Sequence, residues 1–382
     1  MPSISPILRA MEALFFILIF LSAYPFVVYP AVLLLISGIV RRPWEEGEIR
    51  PAVTIVVSAH NEEAVIAQKV RNCLDLDYPE GAIDIIVVSD GSTDRTDEIV
   101  SSIKDHRVSL AVFPRLGKTA CLNRVVPSAR GEICVFTDAN SMFPPHALAT
   151  VVGSLKDPTV GAVTGWTEYV NPENGRAVTG LYSGFERWMK HRESLAGSCV
   201  GADGAIFAVR KSLFRALRED DINDLVIPLN VLKAGKRVVM NPGFFCYEQS
   251  AQGAYGEYRR QVRITARTLT ALRRNMGCMN PFRFGLFSFF LISHKGMRLT
   301  FPFFMLGATA ACALLYEGPG FFKVFLWSQA LVVVVAAYGL LRKTENRFIG
   351  IVATFLLTAF AHLAGWLRMI RGASDVIWLP RH

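Results

Sequence analysis

Long apolar runs occupy both ends of the chain and flank a middle region with a different pattern. Residues 7–40 contain only two charged side chains, Arg9 and Glu12. A run of this length can cross a hydrocarbon layer of about 30 Å, which predicts a membrane helix at the N-terminal end. From residue 282 onward the chain is apolar again, with candidate membrane spans at residues 301–316, 321–341 and 348–369.

A shorter apolar run precedes these three candidate spans. Residues 284–293 are too few to span a bilayer, and they are followed by His294 and Lys295. This pattern favours an amphipathic helix that lies at the membrane interface. We therefore expect four segments: an N-terminal membrane helix at 1–44, a soluble domain at 45–281, an interface helix at 282–300, and about three spans at 301–382.

The middle region alternates short β-branched runs with helical patterns. Strands are predicted at residues 53–57, 83–88, 108–112 and 133–137, and a helical segment follows each of the first three. Continuous apolar strands that alternate with helices predict an α/β domain with a parallel, Rossmann-like sheet covered on both faces. Such sheets bind ligands beyond the carboxyl ends of their strands.

Polar side chains follow three of the four predicted strands. Asn61 and Glu62 come after the first strand, Asp90 ends the second, and Asp138 and Asn140 follow the fourth. One polar strand end is ordinary turn chemistry. Three such ends at one edge of a parallel sheet indicate a binding site.

The motif Asp138-Ala139-Asn140 places two oxygen-bearing side chains two residues apart. A hard cation such as Mg²⁺ or Mn²⁺ is held by one or two carboxylates together with substrate phosphates, so this pair is a candidate metal site. An ordinary Asx-turn is the alternative. Lys118 follows Gly117 at a predicted helix start and is a candidate phosphate ligand. Neither GxxxxGK[ST] nor GxGxxG occurs in the chain, which disfavours nucleotide hydrolysis and dinucleotide redox chemistry.

Two later segments carry further candidate chemistry. Three carboxylates occur within residues 220–224, at the start of a predicted helix, which is more than a helix cap requires. A base that removes a proton from a sugar hydroxyl would have this character. Arg260, Arg263 and Arg267 recur at helical spacing. They suit a diphosphate clamp, and a solvated basic face or a lipid-headgroup contact is the alternative.

Composition and charge narrow the class of protein. Apolar residues make up 52% of the chain, and 41 Lys and Arg against 32 Asp and Glu give a net charge of +9. A membrane protein with basic flanks, or one that handles phosphate-bearing substrates, fits these values. The charges are scattered, so nucleic acid is not expected as a partner. The seven cysteines form no CxxC pair, which suggests reduced thiols in a cytosolic domain.

The distribution of basic residues predicts the orientation in the membrane. Arg41 and Arg42 directly follow the first apolar run, so the positive-inside rule places them and the middle domain in the cytoplasm. We therefore expect a multi-pass integral protein of the plasma or inner membrane. Three C-terminal spans would, however, place Arg371 and Arg381 outside, against the same rule.

Taken together, the motifs resemble the membrane-integrated glycosyltransferases of family 2, whose relatives include cellulose, chitin and hyaluronan synthases and ceramide glucosyltransferases. The similarity runs in order over about residues 50–270, through VTIVVSAHNEE, VVSDGSTDRT, GKTACLN, FTDAN, GADGAIFAVRKSLF, INDLVIPLNVLKAGKRVV and RQVRI. The resemblance implies an α/β GT-A domain, a Rossmann-like nucleotide-sugar-binding fold, inserted between transmembrane helices.

The resemblance also assigns a role to individual residues. It implies that Asp224 is the catalytic base and that Mg²⁺ or Mn²⁺ is bound by Asp138 with Asn140. Asp203 and Asn223 are implied, less directly, as contacts to the donor or acceptor sugar. The residues implied to bind the nucleotide sugar, a UDP-sugar by expectation, are Ala59, Asn61, Glu62, Asp90, Lys118, Asp138, Arg260 and Arg263.

Three departures from the family pattern bear on the reaction. Asn140 and Asn223 stand where the family has carboxylates, and Ile264 stands where processive synthases have a Trp at the acceptor-binding mouth. The expected reaction is inverting transfer to a lipid or lipid-linked saccharide, with a processive polysaccharide synthase as the alternative. A glycoside hydrolase would not explain Lys118, and a transporter would need polar residues within its spans.

Overall fold

The computed structural model describes residues 6–171, 180–249, 254–342 and 346–372. Arg381, whose expected position conflicted with the positive-inside rule, lies outside these residues, as do residues 343–345 of the loop between the last two spans. The described chain divides into two compact units. An α/β unit contains residues 33–171, 180–249 and 270–290, and a helical unit contains residues 6–32, 254–269 and 291–372.

A seven-stranded mixed sheet forms the centre of the α/β unit, with strand order β3-β2-β1-β4-β6-β5-β7. Strands β1 to β4 pair in parallel, whereas β6 runs antiparallel to both β4 and β5. The four strands predicted from the sequence are confirmed as β1 to β4, and β5 to β7 extend the sheet beyond them. The strands are β1 Val53–Ala59, β2 Ile83–Asp90, β3 Val108–Phe113, β4 Ile133–Asp138, β5 Val160–Val170, β6 Ile206–Arg210 and β7 Arg237–Gln249.

Helices connect the strands of the α/β unit, and helices also make up the helical unit. The predicted helices after β1, β2 and β3 are confirmed, and the arginine-rich segment forms one long helix, α9. The α-helices are α1 Pro6–Ala23, α2 Tyr29–Ile39, α3 Ile66–Leu74, α4 Thr96–Ser101, α5 Lys118–Val125, α6 Ala147–Ser154, α7 Leu181–Ala196, α8 Asn223–Lys233, α9 Ala254–Arg274, α10 Pro281–Phe284, α11 Leu286–Phe290, α12 Arg298–Leu314, α13 Gly320–Arg342 and α14 Arg347–Ile370.

The core of the α/β unit forms where the sheet is covered by helices. Every residue of β1 is buried, as the continuous apolar run predicted for a strand with both faces covered. Val70 and Cys73 of α3 and Val151 of α6 belong to the same buried cluster. This packing fixes the carboxyl ends of β1, β2 and β4 next to one another, because neighbouring parallel strands share one edge.

Four helical stretches among the described residues are long and apolar enough to cross a membrane. They are Pro6–Ile39, Leu286–Leu314, Gly320–Arg342 and Phe348–Ile370, and they are consistent with association with a membrane. Within the helical unit, α1 packs against α12 and α13 through Phe15, whose ring centroid lies 5.3 Å from that of Phe322. Trp366 Nε1 donates to the Leu299 carbonyl at 2.9 Å and so joins α14 to α12.

The helix boundaries near residue 300 differ from the sequence-based division. Residues 286–314 are helical without a break, because a π-helical segment, Leu291–Met297, joins α11 to α12. His294 and Lys295 do not end the helix. Ser293 Oγ lies 2.9 Å from Tyr24 Oη, and His294 is fully buried, so the polar side chains of this segment are accommodated within the protein. The boundary expected at 300/301 therefore falls inside a helix, and the interfacial position of residues 282–300 stays a prediction.

Candidate active site at the strand ends

The turn after β1 is tied to the turn after β2 by side-chain to backbone hydrogen bonds. Asn61 adopts a left-handed backbone conformation, with φ 54°, which an Asn tolerates better than most residues. Its Oδ1 accepts from Thr93 N at 2.8 Å, and its own N donates to Ser92 Oγ at 3.2 Å. Glu62 N donates to Thr96 Oγ1 at 2.8 Å. The predicted nucleotide-binding residues Asn61 and Glu62 thus lie at a well-fixed edge of the sheet.

Ala59 and His60 complete the first of these turns. Ala59 is the last residue of β1 and is fully buried. The His60 ring nitrogen Nδ1 lies 2.9 Å from the Asp90 carbonyl oxygen. Burial and the nearby Arg115 guanidinium lower the pKa of His60, so its ring is neutral at neutral pH and Nδ1–H can donate to that carbonyl.

Asp90 organises the segment that leads into α5. Its buried carboxylate accepts from Leu116 N at 2.7 Å, from Gly117 N at 3.0 Å and from Arg115 Nη1 at 2.9 Å. Gly117 has φ 91°, a conformation that requires glycine here. The consequence is that Lys118 becomes the first residue of α5, beside the end of β4. The expected contact between Asp90 and the base or ribose stays a prediction.

A short chain of contacts brings three predicted functional residues together. Lys118 Nζ lies 2.5 Å from Asp138 Oδ1 and donates to the Gly204 carbonyl at 3.0 Å. A Cβ at Gly204 would lie only 3.1 Å from Asp224 Oδ2, so the absence of a side chain there lets the Asp224 carboxylate approach. The metal motif, the candidate phosphate-binding lysine and the candidate base therefore line one site within the α/β unit.

Asp138 and Asn140 provide a donor set for one hard cation. Asp138 ends β4 with its side chain 29% exposed, and Asn140 is partly exposed. Across the described residues, His, Cys, Asp and Glu side chains form no cluster of three that could hold a metal ion by themselves. One carboxylate and one amide oxygen fit an ion that takes its remaining ligands from water and a substrate diphosphate. The residues present therefore fit Mg²⁺ or Mn²⁺ bound together with a nucleotide sugar.

Asp224 lies in the first turn of α8, where the helix dipole favours a negative charge. Its backbone carbonyl accepts from Ala202 N at 2.7 Å, which fixes the start of α8 against the segment before β6. Asn223 is 8% exposed, and its Nδ2 atom has no hydrogen-bond partner among the described residues. A buried amide without a partner is costly, and a bound ligand would relieve that cost.

Asp203 has a structural role in the turn before β6. Its carboxylate accepts from Thr167 N at 3.1 Å, Thr167 Oγ1 at 3.0 Å and Ala205 N at 3.0 Å. Its own N donates to Thr164 Oγ1 at 2.8 Å, so the turn is attached to β5 on two sides. These contacts give Asp203 a role in holding the turn, and its predicted contact with the donor or acceptor sugar stays a prediction.

Arg260 and Arg263 lie on α9 in the helical unit. The Arg260 guanidinium makes a two-point ion pair with Glu257, with N–O distances of 2.7 and 2.8 Å. Gln261 Nε2 also donates to Glu257, at 2.7 Å. The start of α9 is thus held by contacts between neighbouring turns. The assignment of both arginines to the diphosphate stays a prediction.

Two basic residues that lie near the candidate site were not identified from the sequence. Arg115 pairs with Asp90, although it sits in a segment with no motif of its own. Lys190 of α7 is buried, and burial by itself lowers its pKa. The nearby acidic groups outweigh this effect, so the pKa of Lys190 is raised; they are Glu186, Asp203, Cys199 and Asp224. Lys190 is therefore charged in the neighbourhood of Asp224. A lysine in an amphipathic helix gives no sequence signal for such a position.

The family model described as glycosyl transferase family 2 matches residues 54–218, the part of the chain that holds most of these strand-end residues. A β-monoglucosyldiacylglycerol synthase from Nostoc sp. is 37% identical over 118 residues, 30% of this chain and 25% of that protein. A poly-β-1,6-N-acetyl-D-glucosamine synthase from Staphylococcus aureus is 24% identical over 220 residues, 55% of this chain and 53% of that protein. The chain thus matches between a quarter and about half of the length of these relatives.

The fold extends over nearly the whole chain in one solved structure. A mannosyltransferase from Pyrobaculum calidifontis, in complex with GDP-Man and Mn²⁺, superposes with a TM-score of 0.71 at 24% sequence identity. The match covers 94% of this chain and 99% of that one. The mixed sheet is therefore a GT-A fold, as expected from the sequence.

We expect Arg115→Met to destabilise the α/β unit by about 2 kcal/mol, because it removes the charged partner of a buried carboxylate that keeps its backbone donors. Thermal or denaturant unfolding of the full-length protein in detergent measures the effect. Arg95→Met is the matched control, since Arg95 pairs with Glu98 at an exposed position and such pairs contribute at most about 1 kcal/mol. Equal stability of the two variants would contradict the role given to Arg115.

Proposed function

We propose that this chain, which carries a glycosyltransferase family 2 domain, transfers a sugar from a nucleotide sugar to a lipid or lipid-linked saccharide at the membrane. The observation that carries the proposal is the contact chain from Asp138 through Lys118 and Gly204 to Asp224. In this chain of contacts, a lysine suited to bind a diphosphate and a carboxylate suited to bind a metal ion lie near a carboxylate suited to remove a proton. Residues 45–281 form the catalytic domain in this proposal, on the cytoplasmic side where Arg41 and Arg42 follow the first span.

The strand-end turns bind the nucleotide in this proposal. Ala59, Asn61 and Glu62 form one side of the nucleotide site, and Asp90 shapes the other by holding the segment before α5. Lys118 exchanges its contact with Asp138 for the donor diphosphate. A Mg²⁺ or Mn²⁺ ion held by Asp138 with Asn140 would neutralise charge on the leaving diphosphate.

UDP is the nucleotide we propose, and GDP is the alternative. The sequence motifs favour a UDP-hexose or UDP-N-acetylhexosamine, and the staphylococcal relative is named for a polymer of N-acetyl-D-glucosamine. The mannosyltransferase from Pyrobaculum calidifontis was solved with GDP-Man, so GDP is retained as the alternative nucleotide. Arg260 and Arg263 are proposed as further diphosphate ligands, since guanidinium groups suit phosphate oxygens.

Asp224 acts as the general base for the acceptor. It takes the proton from the acceptor hydroxyl while that oxygen attacks the anomeric carbon. The bond from this carbon to the diphosphate oxygen breaks, the nucleoside diphosphate leaves with the electron pair, and the configuration inverts. Asn223 Nδ2, which has no hydrogen-bond partner in the part of the chain that the structure describes, is suited to donate to a sugar hydroxyl at this point. Asp203, which holds the turn before β6, is proposed as a further contact to the donor or acceptor sugar.

The acceptor is proposed to be a membrane lipid or a lipid-linked saccharide. Four helical stretches of the described chain are long and apolar enough to cross a bilayer, and the similar Nostoc protein is named a β-monoglucosyldiacylglycerol synthase. Ile264 offers no aromatic surface for a growing chain. A processive polysaccharide synthase is the second candidate, because the similarity to the staphylococcal polymer synthase covers more of the chain, 55% against 30%.

Asp224→Asn should lower sugar transfer by about 10²–10⁴-fold, the usual contribution of a general base, while nucleotide binding is kept. Release of nucleoside diphosphate from a donor sugar in the presence of acceptor lipid measures transfer. Asp220→Asn is the matched control, because Asp220 belongs to the same acidic cluster but pairs with Arg274 at 2.7 Å. Wild-type turnover in Asp224→Asn would remove Asp224 as the base.

Chelation of divalent metal should abolish tight binding of the nucleotide, and Asp138→Ala should have the same effect without a chelator, because its carboxylate is the one charged metal ligand of the motif. Calorimetric titration of UDP and GDP with and without Mn²⁺ measures both effects. Asp105→Ala is the control. It removes a carboxylate that pairs with Arg107 before β3, at the end of the strands away from the candidate site. Binding that is indifferent to chelator would show that the motif does not use a cation.

The size of the product distinguishes the two candidate functions. Purified full-length protein is incubated with labelled UDP-sugars or GDP-mannose, with and without added diacylglycerol or polyprenyl-phosphate lipids. We expect a small labelled product that extracts into organic solvent and depends on the added lipid. A water-soluble polymer of high molecular weight, formed without lipid, would instead support the processive synthase.

A further inference from the structure

A lysine side chain is fully buried beneath the turn that carries Asp138 and Asn140. Lys69 of α3 is 0% exposed. Its Nζ donates to the Ser141 carbonyl and lies 3.7 Å from the centroid of the Phe143 ring, an attractive cation–π contact. Removing an ammonium group from water is costly, so the position of this lysine must be compensated by specific contacts.

A buried glutamate contacts Ser141 through its side-chain hydroxyl. Glu248 of β7 is 1% exposed, and its Oε1 accepts from Ser141 Oγ at 2.6 Å. Ser141 directly follows Asn140 in the chain. One buried lysine and one buried glutamate, from two different elements, therefore both bind the residue next to the metal motif.

The rest of the turn is fixed by backbone contacts to the same two elements. Met142 and Tyr247 of β7 exchange two backbone hydrogen bonds, of 2.9 and 2.8 Å. The Asn72 side chain, from α3, bonds both the N and the O of Phe143, each at 2.8 Å. The turn is held along its length, and at Ser141 both a lysine and a glutamate side chain make hydrogen bonds.

Electrostatics link this pair to the metal motif itself. Burial lowers the pKa of Lys69, while the charges of Asp138 and Glu248 are among those that raise it. Lys118 makes an ion pair with Asp138. The charge of Asp138 therefore acts both on Lys118, which it contacts, and on the buried Lys69.

We infer that Lys69 and Glu248 are positioning residues that hold Asp138 and Asn140 in the geometry required by a cation and a nucleotide diphosphate. The inference rests on the proposed function. The motif has one carboxylate instead of two, so a displaced Asp138 leaves no second charged ligand to keep the ion. Apolar side chains could fill the same space without desolvating charges, but they could not fix Ser141 through hydrogen bonds.

The test compares Lys69→Met with Lys211→Met in the full-length protein in detergent. Both changes remove a lysine that donates to a backbone carbonyl, but the partner of Lys211 is Ala129, at the opposite edge of the sheet. Titrations give the Kd of UDP and of GDP with and without Mn²⁺. We expect Lys69→Met to weaken the Mn²⁺-dependent binding about 10- to 100-fold, the range for loss of a group that orients a metal ligand, and Lys211→Met to match the wild type.

The melting temperature without ligand separates positioning from a merely structural role. Lys69→Met that melts cooperatively and keeps the wild-type ratio of Kd values with and without Mn²⁺ overturns the inference. If Lys69→Met does not fold, Ser141→Ala is the deciding variant, because it removes only the hydroxyl that donates to Glu248. Unchanged Mn²⁺-dependent nucleotide binding in Ser141→Ala overturns the inference as well. A wild-type protein that binds neither nucleotide would instead refute the proposed function, and the inference with it.

Discussion

The parallel pairing of β1 with both of its neighbours determines where the candidate functional side chains of the α/β unit lie. Ala59 is in register with Ser89 of β2, and Ser58 is in register with Asp138 of β4. The three strands therefore end at nearly the same level, and the polar residue after each reaches the same edge of the sheet. A slip of one residue would turn the strand's buried side chains to the opposite face, so the buried core that fixes the register also fixes the site.

Charge pairing then arranges this edge for an anionic ligand. The Asp90 carboxylate accepts hydrogen bonds from Arg115 and from the backbone N–H groups of Leu116 and Gly117. These bonds set the path of the chain into α5. Lys118 is consequently presented at the start of a helix, with Asp138 as its partner. Under the proposed function, a diphosphate and a cation would replace this ion pair with two new ones, so charge at the site stays balanced when the donor binds.

The departures from the family pattern agree with this arrangement. An amide at position 140 reduces the negative charge of the metal motif, and an amide at position 223 leaves a buried N–H beside Asp224 without a partner among the described residues. Under the proposed function, the substrate diphosphate would supply the missing metal ligand in the first case, and a sugar hydroxyl would pair with the amide in the second. The buried contacts of Lys69 and Glu248 with Ser141 fit the same logic, since a motif with a single carboxylate depends more on its supporting residues.

The sequence by itself determined the features that depend on local pattern. Strands β1 to β4 follow from continuous β-branched runs, the four apolar helices follow from length and composition, and the strand-end motifs follow from polar residues placed directly after those runs. It did not predict β5 to β7, because β6 pairs antiparallel with strands distant in the chain. Nor did it predict that the helix around His294 continues, because the polar side chains there are accommodated by tertiary contacts. Lys69 and Ser141 are 72 positions apart in the chain, and Ser141 and Glu248 are 107 positions apart. Only the folded sheet brings these residues together.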